Sequence, residues 1–194
     1  MYTARVTTAR HLHHSYAQYL ELLERSGIKL EFCGGEIYAM AGSTPAHADL
    51  VASMIRLLGN ALIDVCRVSA SDLKVRVEAT GLSTFPDVTV VCGPREVAAV
   101  DTNAVTNPTL LVEVTSDSTQ QYDRGEKLNH YKQCQSLRAV VFVSHQLLQV
   151  SLVERQGGGW TQREFRAGDT VHIAQPSVEF TVDELYAGVS LSSK

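Results

Sequence analysis

The segment from Leu110 to Ser144 constrains the fold more than any other part of the chain. LLVEVTS (110–116) and AVVFVS (139–144) are short, nearly continuous apolar runs, and DRGEKLNHYKQC (123–134) between them has helical spacing. Apolar runs of this length, bounded by turn residues, fit strands buried on both faces. Two such strands joined through a helix form a parallel crossover, with the helix packed on the sheet they share. The expected class is therefore α/β (α+β), built around that crossover.

The remaining elements arrange themselves around that unit. SYAQYLELLERS (15–26) places Tyr16, Tyr19, Leu20 and Leu23 on one helical face and ends at Gly27, a common helix terminator. IKLEFCGGEIYAMAG predicts a β-hairpin turning at Gly34 and Gly35, with Glu36 just past the turn. From Pro45 to Cys66 apolar residues recur with helical period, and Pro45 suits a first helical position. DLKVRVEA (72–79) and FPDVTVVC (85–92) predict a second hairpin around Gly81. LLQVSLVER, a turn at Gly157 to Gly159, WTQREFRAG and TVHIA predict an antiparallel meander, and Thr181 with Glu184 forms a capping box for a short last helix. The 194 residues suit one domain, 1–194, with the polar segment 1–14 expected to be mobile.

Composition narrows the function classes. Apolar residues at 44% and charged residues at 20% describe an ordinary globular chain, and no apolar run approaches the eighteen or so residues that span a bilayer. The start MYTARVTTARHLHH lacks the apolar stretch of a signal peptide, so the cytoplasm is the expected location. A net charge of −4 lowers the odds of a global nucleic-acid or anionic-membrane binder but leaves room for a local basic groove. Cys33, Cys66, Cys92 and Cys134 form no C-x-x-C pair and are expected to be reduced thiols, mostly in the core.

Two carboxylates stand out because each lies in a strand among apolar neighbours: Asp87 in FPDVTVV and Glu113 in LLVEVTS. Burying an ionised carboxylate is unfavourable unless it is paired, hydrogen-bonded or bound to a cation. One divalent cation satisfies both, and Mg²⁺ accepts such oxygen ligands while keeping several waters. Asp123, Lys127 and Tyr131, spaced four apart, share one helical face, which makes Lys127 the candidate catalytic cation. No phosphate-binding glycine loop, G-x-S-x-G elbow or H-E-x-x-H zinc motif is present.

The strings PDVTVV and LLVEVTSDSTQQYDRGEKLNHY, preceded by GGEIYAM and PAHADLV, resemble the Uma-two family of restriction-endonuclease-like proteins within the PD-(D/E)XK nuclease superfamily. The resemblance runs from about Tyr16 to Val189, and the ordered set with the D-R-x-x-K-x-x-x-Y helix is more specific than any one string. It implies a restriction-endonuclease-like core with a mixed central sheet flanked by helices, and a Mg²⁺-dependent endonuclease acting on DNA, with Mn²⁺ as substitute. By position it assigns Asp87, Glu113 and the backbone carbonyl of Val114 as metal ligands. The superfamily lysine belongs two residues after the glutamate, where this chain has Thr115, so the resemblance moves that role to Lys127. Glu36, His47 and Asp123 match further acidic and histidine positions around the pocket, and analogy with enzymes that cut both strands of a duplex implies a homodimer.

Plainer readings stand beside these. Asp87 with Pro86 is also an ordinary strand start, and Glu113 has Lys74 or Arg76 as alternative partners. Lys127 with Asp123 is also a favourable surface pair, Lys74 a solvated strand residue and His47 a solvated first-turn residue. His11, His13 and His14 form a weak candidate metal cluster in the terminus. Two other functions remain open: a nuclease fold that binds nucleic acid or protein without cutting, and a hydrolase built on Ser116 and His130.

Overall fold

A computed structural model describes residues 13–40, 42–115 and 120–191. Helix α1 (Tyr16–Ser26) opens with a capping box between Ser15 and Gln18 and closes on Gly27, whose φ of 65° is left-handed. The hairpin β1 (Leu30–Cys33) and β2 (Glu36–Ala39) turns through Gly34 and Gly35 at φ of 57° and 91°, angles that side chains disfavour. Helix α2 (Pro45–Ala61), capped by the Thr44 hydroxyl, buries Leu50, Met54 and Leu58 along one face.

Beyond α2 the structure departs from the expected elements. The helix stops at Ala61, and Cys66 begins a strand, β3 (Cys66–Ala70). β4 (Lys74–Val77) hairpins with β5 (Leu82–Thr84), whereas β6 (Val88–Cys92) lies in another sheet between β3 and its later neighbour. The hairpin expected from 72–79 to 85–92 is therefore corrected: Phe85 to Asp87 carry the chain from one sheet to the other. β7 (Val97–Ala98), only two residues long, and β8 (Asp101–Val105), polar over its first three residues, carry no periodic sequence signal. β9 (Leu110–Thr115) leads through α3 (Gln120–Tyr122), a π-helical stretch (Asp123–Lys127) and α4 (Leu128–Tyr131) to β10 (Ala139–Ser144). β11 (Gln149–Gln156) and β12 (Gly159–Arg166) follow, then β13 (Thr170–Ile173), β14 (Val178–Thr181) and the capped helix α5 (Val182–Tyr186).

Among the described residues the strands form two six-stranded sheets, ordered β2-β1-β5-β4-β8-β7 and β12-β11-β10-β9-β6-β3, with β13-β14 as a separate pair. β9 and β10 are parallel and their outer neighbours antiparallel, so the crossover reading and the mixed sheet both hold. Alternation along β9 divides its side chains. Leu110, Val112 and Val114 join a core with α2 and α5, while Leu111 faces Tyr131, Phe142 and the Val75, Val77 and Leu82 of the other sheet. Glu113 shares the Leu111 face, and the register sets it beside Phe142.

Two further expectations need correction. Cys66 and Cys92 are joined as a disulfide across the β3–β6 ladder rather than reduced, while Cys33 and Cys134 are free. Only strand register places those two residues opposite each other. Lys74 is not solvated: it is 5% exposed, with Nζ 2.7 Å from Asp101, which also accepts a 2.7 Å bond from the Tyr16 hydroxyl. Burial alone would raise the Asp101 carboxyl, but the Lys74 and Tyr16 bonds hold it below its ordinary value. Lys74→Met is expected to destabilise the fold by about 3–5 kcal/mol, because it strands a buried carboxylate. A urea midpoint unchanged by the substitution would contradict that. Among the described residues, no helix is long and apolar enough to cross a membrane.

Candidate functional site: a buried carboxylate and lysine cluster

The cluster forms where the two sheets meet the π-helical stretch. Asp87 precedes β6 and Glu113 sits in the neighbouring strand β9, both buried. Asp87 Oδ2 accepts a 2.7 Å bond from the Val114 N–H and lies 3.3 Å from His47 Nε2 in the first turn of α2. Glu113 Oε1 accepts a 2.5 Å bond from the Tyr131 hydroxyl and lies 3.0 Å from Lys127 Nζ. The lysine also lies 3.0 Å from Glu31 and 3.7 Å from Asp123. Thr84 donates its hydroxyl to Glu31.

Lys127 reaches this point because of the local helix geometry. The N–H of Leu128 bonds back to the carbonyl of Asp123, a five-residue step that widens the turn. Such π insertions reorient the side chains on one helix face and are frequent at functional sites. Asp123 and Lys127, though four apart, are both buried, so the surface-pair reading fails. Glu113 pairs with Lys127 rather than with Lys74 or Arg76, which bond Asp101 and Ser83.

Four carboxylates thus surround one lysine and one imidazole. Burial pushes the Glu113 carboxyl up to about 8, with Asp87 and Asp123 adding to the rise and Lys127 and Tyr131 opposing it. Burial alone would lower Lys127, but the surrounding carboxylates, Glu113 first, hold it well above its ordinary value. Each favours the ionised form of the other, and what keeps Glu113 high is burial together with the neighbouring Asp87 and Asp123. We take Lys127 as charged, since Glu31 and Asp123 also hold it, and Glu113 as the group that carries a proton near neutrality. The bond to Asp87 raises the His47 imidazole above its ordinary value, against the lowering effect of burial.

The donors are oxygens and the cluster holds more acids than bases, a combination that fits a hard divalent cation rather than a thiophilic one. Asp87, just ahead of β6, and Glu113, in the neighbouring β9, would be the carboxylates to hold it. An open cleft of about 1210 Å³ adjoins the cluster, lined by Glu31, His47, Asp87, Asp123 and Lys127 on its polar side and by Val51 and Ile55 on its apolar side.

The structure brings together Asp87, Glu113, Asp123, Lys127 and His47 of the expected residues. Glu36 stays apart, bonded to the Tyr38 hydroxyl, and Glu31 holds the acidic position on the hairpin instead. Glu31 has a readable signal in the same form as Glu113, an acid between apolar residues in KLEFC, but the hairpin register puts Glu31 and Glu36 on one face, and only the approach of β1 to Lys127 distinguishes them. Thr115 lies in β9 on the Glu113 side, its hydroxyl near the Val143 carbonyl, and supplies no charge. Of the terminal histidines, His11 lies outside the described residues, as does most of segment 1–14. His13 bonds the Gly34 carbonyl and His14 N–H the Gly35 carbonyl. Ser116 also lies outside the described residues, and His130 packs against Cys33 and Glu126.

Comparison with known proteins bears on the family and the fold. Protein slr1290 of Synechocystis sp. is 34% identical over 175 residues, covering 89% of this chain and 91% of its own. Protein sll1609 of the same organism is 28% identical over 142 residues, covering 73% and 80%. A crystal structure described as "a putative nuclease belonging to DUF820" from Anabaena variabilis superposes with a TM-score of 0.67 at 15% identity, covering 84% of this chain and 93% of that one, a likeness of fold. A family model described as "Putative restriction endonuclease" matches residues 16–184, a span that holds Glu31, Asp87, Glu113 and Lys127 alike, and on that match the chain belongs to the Uma2 family.

Proposed function

We propose that this protein is a divalent-cation-dependent endonuclease that hydrolyses phosphodiester bonds in DNA, using Mg²⁺ with Mn²⁺ as substitute. One observation carries the reading: Lys127 Nζ lies 3.0 Å from Glu113, in the strand beside Asp87, although the residue two after the glutamate is a threonine. The lysine that nuclease chemistry needs is supplied from the following helix. When bound, the cation supplies Lewis acidity toward a phosphoryl oxygen.

The chain's own residues have separable tasks. Asp87 and Glu113, with the Val114 carbonyl, hold the cation; the Val114 N–H and His47 both bond Asp87 Oδ2 and so fix the carboxylate plane. Tyr131, one turn further along the same helical face as Lys127, restrains Glu113 by donating its hydroxyl to Oε1. Lys127, charged across the working pH range, offsets negative charge as it develops on the phosphoryl group and orients the attacking water. A positive charge preorganised in a buried site is effective because little solvent reorganises around it.

A second reading is favoured by one specific feature. Lys127 is already held by Glu31, Glu113 and Asp123, and those acids compete with a substrate phosphate for it. On that reading the protein binds a nucleic acid or a protein without cutting.

Calorimetric titration of Mg²⁺ and Mn²⁺ into the wild type and Asp87→Ala, followed by incubation of both with supercoiled plasmid, separates the readings. Nuclease function predicts cation binding and nicking by the wild type, with both lost in Asp87→Ala while the circular dichroism spectrum is kept. Cation binding with no cutting of plasmid would favour the second reading. Equal nicking by wild type and variant would overturn the assignment of Asp87.

A further inference from the structure

A second set of metal-binding side chains lies one step along the same two elements. Cys33 is two residues from Glu31 in β1, and Glu126 and His130 lie one residue before and three after Lys127. Among the described residues, these three form the group whose His, Cys, Asp or Glu ligand atoms all lie within 4.8 Å of one another. Cys33 Sγ is 3.4 Å from His130 Nε2, and Glu126 Oε1 is 3.9 Å from the same nitrogen.

Two chemistries use a cysteine, a histidine and an acid, and the geometry distinguishes them. A nucleophilic triad needs the thiol on one imidazole nitrogen and the carboxylate on the other, so that the acid orients the base. Here both converge on Nε2. Convergence of sulfur, nitrogen and oxygen on one point is the arrangement of metal ligands.

Tetrahedral zinc, with bonds of about 2.3 Å to sulfur and about 2.0–2.1 Å to nitrogen, sets those two atoms about 3.6 Å apart. The observed 3.4 Å lies close to that edge. The same geometry asks for about 3.4 Å between nitrogen and carboxylate oxygen. Glu126 needs to close by about half an ångström to meet it, and its side chain is 65% exposed.

We propose that Cys33, Glu126 and His130 form a binding site for a thiophilic divalent transition metal of the zinc class, with water in the fourth position. The site is distinct from the all-oxygen cluster and selects a different metal, because thiolate and imidazole favour zinc over magnesium. Its occupant ties β1 to the helix that carries Lys127, and so holds Glu31 and Lys127 in register.

Cobalt(II) titration of the chelator-treated full chain tests the site, because a Co²⁺–thiolate bond gives a near-ultraviolet charge-transfer band and tetrahedral Co²⁺ gives visible absorption. One equivalent of Co²⁺ is expected to produce both, with Zn²⁺ displacing it. Cys33→Ser, a near-isosteric change, abolishes the thiolate band, and His130→Asn weakens Co²⁺ binding at least about tenfold. Asp87→Asn keeps both signals, so failure of the all-oxygen site and failure of this one are read separately. No thiolate band in the wild type, or a band that persists in Cys33→Ser, would overturn the proposal. Zn²⁺ should also raise the melting temperature of the wild type but not of Cys33→Ser, by mass action on the folded state.

Discussion

Lys127→Met is expected to lower plasmid cleavage by at least about 10²-fold while cation binding remains measurable. The substitution keeps the length and much of the packing of the side chain and removes only its charge. What is lost is the positive group 3.0 Å from both Glu113 and Glu31. Removing a preorganised charge from a buried reacting site costs about 3–4 kcal/mol in the barrier, whereas a counter-ion with no part in the reaction would leave the rate nearly unchanged. The same variant is expected to lose about 3–5 kcal/mol of stability without added cation, since buried acids are left without their partner. Lys127→Met combined with Glu113→Gln recovers part of that stability and none of the activity. A Lys127→Met protein that cleaves within a few-fold of wild type would reduce the lysine to a structural counter-ion.

Glu113→Gln carries the second large effect, and it has a pH signature. Burial raises the folded carboxyl from 4.5 to about 8, so the folded chain holds a proton there that the unfolded chain releases. A raised folded pKa contributes stability that is complete below the unfolded value and is lost as pH rises through the folded one. In chelator the wild type therefore weakens as pH climbs from about 4.5 to about 8, and His47, also raised, acts in the same direction. Asp101, lowered by Lys74 and Tyr16, limits stability at the acid end instead. Glu113→Gln, which keeps an oxygen to accept the Tyr131 bond, flattens that fall, measured by urea unfolding at several pH values. It also removes a cation ligand, and cleavage drops by at least about 10²-fold. A wild-type curve that rises over that pH range would contradict the buried proton on Glu113.

The candidate site was partly legible in the sequence because burial leaves a mark there. A single carboxylate inside LLVEVTS, or an aspartate opening VTVV, has to find a partner, and this requirement is visible without a structure. Helical spacing likewise aligned Lys127 with Tyr131, and both meet Glu113. The misplacement of the hairpin acid has an equally physical cause. Glu31 and Glu36 lie on opposite arms of one turn, and local pattern assigns neither to the cluster; the approach of β1 to the lysine's helix does. Cys66 and Cys92 were misread for the same reason, since two cysteines 26 residues apart become neighbours only through the β3–β6 register.

What the sequence by itself determined is local: the capped helices, the Gly-Gly turn, the two buried strands around a crossover, and the demand of two buried acids for a cation or a partner. Periodicity, capping and desolvation act over a few residues, so they are written in the order of the chain. What only the tertiary structure decided is convergence. The strand carrying Val88–Cys92 joined the second sheet, Lys74 turned inward to Asp101, and Glu31 and Lys127 met from elements almost a hundred residues apart. Those contacts depend on sheet order and on a π turn that redirects one lysine, and long-range packing energies choose among registers that local patterns leave equal.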